Sequence, residues 1–214
     1  DVAISIGYAV NLPWKNIFAG ATIKMINSSI SNYSSTGIVA DFGMLYYHPN
    51  KPFIITFVVR NMGTQISSFN NELEKLPFEV MLGGSYQLEN VPVKWYVTID
   101  NLQQWNVSAS NPSNQISDIE GNITKEKVTF INNALRHFIV GVELFPKSAI
   151  NFRLGYNFRK SQEYKLQNVR TFGGLSFGFG LKMNKFKLNY AYSKVHTASN
   201  VSTFSLQIDL DKRR

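Results

Sequence analysis

The sequence predicts an all-β fold, an antiparallel transmembrane β-barrel, on three observations. Segment after segment alternates with a period of two, the periodicity of a strand. Each segment carries bulky apolar residues on one face and glycine, small polar or charged residues on the other. Short and long connections take turns along the chain. The stretch 172–192 shows this best: Leu175, Phe177, Phe179, Leu181 and Met183 alternate with Gly174, Ser176, Gly178, Gly180 and Lys182. After a turn at Asn184–Lys185, Phe186, Leu188, Tyr190 and Tyr192 alternate with Lys187, Asn189 and Ala191. A large-residue face on one side only, repeated down a chain, is the pattern of a barrel wall in lipid.

The elements follow in order. Val2, Ile4, Ile6, Tyr8 and Val10 share one face and turn at Pro13–Asn16 into Ile17, Ala19, Ala21, Ile23 and Met25. A Ser- and Asn-rich stretch, 27–36, reads as a long loop before a third segment, Ile38 to Tyr47. The turn 48–52 leads to Phe53, Ile55, Phe57 and Val59, and a second long loop covers 61–76. Phe78, Val80, Leu82, Tyr86 and Leu88 turn at 89–92 into Val93, Trp95, Val97 and Ile99. The longest irregular region, 103–135, precedes Phe138, Val140, Val142 and Leu144, which turn at 146–149 into Phe152, Leu154, Tyr156 and Phe158. A polar loop at 161–168 leads to the pair already described, and a last loop at 196–200 precedes Phe204, Leu206, Ile208 and Leu210. That makes about eleven strands, most near the 9–11 residues a tilted membrane strand needs. Tight turns at one end and extended loops at the other are expected of bacterial outer-membrane barrels. Such barrels have even strand numbers, so the expectation is that further strands lie upstream; Asp1–Ile4 already reads as mid-strand, without a signal peptide.

Composition agrees. The 214 residues suit one domain, and charged residues at 17% fall below the roughly 25% of soluble proteins. The absence of cysteine excludes disulfides and thiolate chemistry. A net charge of +8 raises nucleic acid as a partner, but the Lys and Arg are scattered and no nucleic-acid-reading module appears. Contact with anionic lipid or lipopolysaccharide accounts for the charge more simply.

Enzyme chemistry finds little support. His48, His137 and His196 show no metal-ligand spacing, and there is no Gly-x-Ser-x-Gly nucleophile elbow. No catalytic, metal or cofactor residues are expected. Asp41, Glu79, Asp100, Glu143 and Asp209 fall on the small-residue face with Arg60, Lys94, Arg153, Lys182 and Lys187. Comparable numbers of both signs favour an ion-pair network over a channel lining. Trp14, Tyr46, Tyr47, Trp105 and Tyr192 stand at strand ends, where an interfacial aromatic girdle belongs. The 103–135 region holds Trp105, Ile116, Ile119 and Phe130 among polar residues, and a loop that long is uncommon unless functional. These four are the candidate partner-binding residues; a flap over the barrel mouth is the other reading.

Several segments carry a resemblance: Asn61–Met62–Gly63–Thr64, Leu76–Pro77–Phe78, Ile99–Asp100–Asn101–Leu102–Gln103–Gln104–Trp105, Leu135–Arg136–His137–Phe138 through Glu143, and Gly173 through Gly180. Together they resemble the PorV/PorQ family of the Bacteroidetes type IX secretion system, a branch of the FadL-like outer-membrane barrels. The resemblance implies a fourteen-stranded barrel, of which about eleven strands lie in this chain. It implies a non-enzymatic role: anchoring a PorZ-like surface protein in the attachment complex that also contains PorU and PorV. The alternative is a FadL-like transporter of hydrophobic small molecules, which would need an apolar pocket and a movable hatch.

Overall fold

A computed structural model of the chain describes residues 2–14, 16–30, 33–67, 73, 75–107, 116–117, 123–124, 128–164, 172–194 and 199–209. Eleven antiparallel strands form one sheet: β1 (Val2–Asn11), β2 (Ile17–Ile30), β3 (Tyr33–Tyr47), β4 (Phe53–Ser67), β5 (Glu79–Gln87), β6 (Val93–Ile99), β9 (Phe138–Leu144), β10 (Ile150–Asn157), β11 (Leu175–Met183), β12 (Phe186–Lys194) and β13 (Asn200–Ile208). A separate two-stranded ribbon pairs β7 (Ile116–Ser117) with β8 (Ile123–Thr124), and two single-turn helices, α1 (Phe130–Leu135) and α2 (Phe158–Glu163), complete the fold. The eleven strands expected from alternation are present. No ladder joins β1 to β13 among the described residues, so the sheet is open as it stands.

The chain divides into two compact units. The first comprises Asp1–Gly84 with Asp100–Gln103, the second Ser85–Ile99 with Gln104–Arg214. In the first, β2 and β3 pair from Ile17↔Tyr46 to Ile30↔Tyr33, so 27–30 and 33–36 of the polar stretch are strand, not loop. Its Ser and Asn side chains hide the in–out alternation but pair across the ladder, as where Asn27 Nδ2 donates to Thr36 Oγ1 at 3.1 Å. β4 likewise continues into the first seven residues of the expected 61–76 loop, to Ser67. A bulge interrupts β3–β4: the register slips between Ala40 and Phe42, and Asn61 takes a φ of 56°. Asp41 holds it, accepting the Asn61 N–H at 3.0 Å and the Lys24 ammonium. Asn tolerates the left-handed backbone that such a bulge demands.

The second unit has two chemically distinct faces. Cross-strand partners run Val93–Leu144–Phe152–Phe179–Tyr190–Phe204 in one apolar row and Trp95–Val142–Leu154–Phe177–Tyr192 in the next. Rings meet across strands at 4.9 Å (Phe177–Tyr192), 5.3 Å (Phe179–Tyr190) and 4.8 Å (Tyr190–Phe204). This face is half open to its surroundings: Trp95, Phe152, Leu154 and Leu206 expose 50–61% of their surface. The opposite face runs Lys94–Glu143–Arg153–Gly178–Ala191–Thr203, with Asn151–Gly180–Asn189–Ser205 beside it. The described residues contain no helix long and apolar enough to cross a membrane, and any crossing would be made by strands.

Candidate functional site: the loop-end cluster and the basic concavity

Both candidate sites lie in the unit of Ser85–Ile99 and Gln104–Arg214. The first is built at the end of the strands that carries the longer connections. Thr129 caps α1, its Oγ1 accepting from the Asn132 N–H at 3.4 Å. The capped turn brings Asn133 and His137 to the Trp105 carbonyl, where Asn133 Nδ2 donates at 2.5 Å and His137 Nε2 at 3.0 Å. A carbonyl oxygen only accepts, so His137 carries its proton on Nε2. The Trp105 indole then stacks on the His137 ring (5.5 Å, 23°) and leans on Phe130 (4.8 Å, 30°). Asn133 and His137 are buried, while Trp105 is half exposed and Phe130 and Ile131 stand 72% exposed. Polar pins below and open apolar surface above make a rigid platform, the form a docking site takes.

Of the four sequence candidates, Trp105 and Phe130 are thus in ring contact. Ile116 lies in the β7–β8 ribbon, opposite Thr124. Ile119 lies outside the described residues, as does His196. The sequence reading missed Asn133 and the role of His137; a buried Asn and His flanking a short apolar run were the available signal. The same strand end holds α2, which begins at Phe158 where a strand was expected to continue. Asn157 Oδ1 caps it by accepting the Lys160 N–H at 2.9 Å, and Gly174, at φ 80°, passes so close to Ser161 that a side chain would clash. Gly174 is therefore a turn residue packed on α2, not a strand glycine.

The second site is a concavity of about 1050 Å³ on the glycine-bearing face. Arg153 Nε donates to Glu143 Oε1 at 3.1 Å, and the Tyr96 hydroxyl donates to Glu143 Oε2 at 2.5 Å. Arg153 also donates from Nη1 to Asn189 Oδ1 at 3.2 Å. The Lys94 ammonium rests 5.0 Å over the Tyr96 ring. Lys182 and Lys187 are direct cross-strand partners and form no ion pair with a described residue. The turn residues Lys147 and Lys185 line the same hollow. Six cations therefore face two carboxylates, Glu143 and Asp209, and the balance of signs expected from the strand residues alone does not hold in this unit. Ion pairs do form where the first unit is concerned, Lys24 with Asp41 and Arg60 with Glu79 at 4.0 Å.

His48 has a local duty, its Nδ1 accepting the Asn50 and Lys51 N–H groups at 3.2 and 3.0 Å to close its turn. The described residues contain no group of His, Asp and Glu spaced to hold a metal ion. No family model, no curated protein and no solved structure matches this chain.

Proposed function

We propose that this chain is the wall of an outer-membrane β-barrel of the PorQ type, which anchors a PorZ-like surface protein of the type IX attachment complex through its loop-end platform. The observation that carries the reading is the pair of apolar rows crossing β6, β9, β10, β11 and β12, one of them reaching β13, whose aliphatic and aromatic side chains are partly open. In water such a continuous surface would drive aggregation. In a bilayer it is solvated by acyl chains, and the strands between the two edges each pair with a neighbour on both sides, the kind of pairing lipid requires. The Trp105–Phe130 platform supports the anchoring part of the reading, because it offers rigid aromatic surface at the end opposite the tight turns. The resemblance supplies the identity of the partner complex, including PorU and PorV.

Replacing Trp105 with Ala together with Phe130 with Ser tests the anchor in cells. The reading expects the PorZ-like protein to be released from the surface while the barrel stays in the outer membrane. Undiminished retention would remove the platform as the anchor. A transporter of hydrophobic molecules is the second reading, favoured by the large concavity on the glycine-bearing face. Mild-detergent extraction separates the two: a co-purifying surface protein supports anchoring, and bound lipid without protein supports transport.

A further inference from the structure

The basic concavity has a chemistry that anchoring does not use. Along the glycine-bearing face, the row Asn151–Gly180–Asn189 lies next to the row Lys182–Lys187–Gln207. Two ammoniums placed directly opposite each other repel, and no carboxylate of a described residue pairs with either. Lys147 and Lys185, from the turns, and Lys94 add to the same surplus. Arg153 is already engaged by Glu143 and Asn189.

Beside this surplus the side-chain oxygens of Asn151 and Asn189 pack over Gly180, within 3.0 Å of where a Cβ would lie, so neutral amides and not carboxylates adjoin the lysines. The hollow therefore asks for a group with several anionic oxygens.

We propose that this concavity binds a phosphate-class oxyanion, its charged oxygens taken by Lys182 and Lys187. Lys94, Lys147 and Lys185 raise the local potential that draws the anion in. The ligand could be a soluble phosphate ester or the headgroup of an anionic lipid, and the chemistry of recognition is the same for both. This proposal does not rest on the anchoring reading.

The test is calorimetric titration of the detergent-folded chain with inorganic phosphate and glycerol 3-phosphate, and a binding assay with nanodiscs containing phosphatidic acid. Phosphate is expected to bind saturably. The double substitution Lys182→Gln/Lys187→Gln should weaken phosphate binding by about tenfold or more, as expected on losing two charge-assisted contacts. Asn151→Asp, which keeps the shape but replaces the amide with a charge, should weaken it as well. Lys51→Gln, a charge removed from a turn of the other unit, should leave it unchanged. Circular dichroism of each variant verifies that the sheet is retained. Saturable binding of glycerol 3-phosphate identifies a soluble ester as the source, and capture by phosphatidic-acid nanodiscs alone identifies a headgroup. Absence of phosphate and headgroup binding, or equal weakening by Lys51→Gln, would overturn the proposal.

Discussion

The two units treat the charges on their strands differently. In the first, each strand-borne cation on the small-residue face has a carboxylate: Lys24 has Asp41, and Arg60 has Glu79. In the second, Arg153 has Glu143, while Lys182 and Lys187 face each other. The same alternating pattern thus serves two purposes. Asp41 is structural, since it also secures the bulge at Asn61. Among the described residues Lys182 and Lys187 form no ion pair, so their repulsion adds nothing to the sheet and leaves charge for a ligand to neutralise.

The comparison is broken most readily at Glu143. Its carboxylate is nearly buried and serves both Arg153 and Tyr96. Glu143→Gln leaves the guanidinium without its counter-charge and should cost about 2–3 kcal/mol of stability, less than a fully buried pair because Arg153 is partly exposed. Urea unfolding in micelles measures it; a loss below half a kcal/mol would mean that the pair is incidental. Asp41→Ala comes next. Losing the Lys24 pair and leaving the Asn61 N–H without its acceptor should cost about 1–2 kcal/mol, read as a lowered unfolding midpoint. An unchanged midpoint would show that the bulge is held by the backbone alone. The smallest effect has the opposite sign. In anion-free buffer, Lys182→Gln/Lys187→Gln should be neutral or stabilising by up to about 0.5 kcal/mol, because it removes a cross-strand repulsion. A marked loss of stability would place those lysines with the structural charges of the first unit.

Much of the fold was legible in the sequence, for a physical reason. Strands such as 175–183 announce themselves because one face is uniformly bulky and the other small. The paired strand ends 27–30 and 33–36 did not, because they are largely polar and only cross-strand bonds such as Asn27–Thr36 disclose their pairing. The two short helices were also hidden. A single turn has too few residues to show a helical period, and each depends on one cap, Thr129 or Asn157. At the candidate sites, Trp105 and Phe130 stood out as aromatics in a long polar connection. Asn133 and His137 did not, because their partner is the carbonyl of Trp105, and a backbone acceptor leaves no trace in side-chain pattern. The basic surplus was missed because Lys147 and Lys185 lie in turns, where strand parity assigns no face.

The central claim is that the apolar rows face lipid. The chain has three tryptophans, and Trp95, near the middle of β6, begins one row and is 52% exposed. With Trp14→Phe and Trp105→Phe introduced, Trp95 becomes the sole reporter. Reconstituted into bilayers of brominated lipid, its fluorescence should be strongly quenched by bromine on the acyl chains and little affected by aqueous iodide. Quenching by iodide with none from brominated chains would contradict the account, since it would put the apolar face in water.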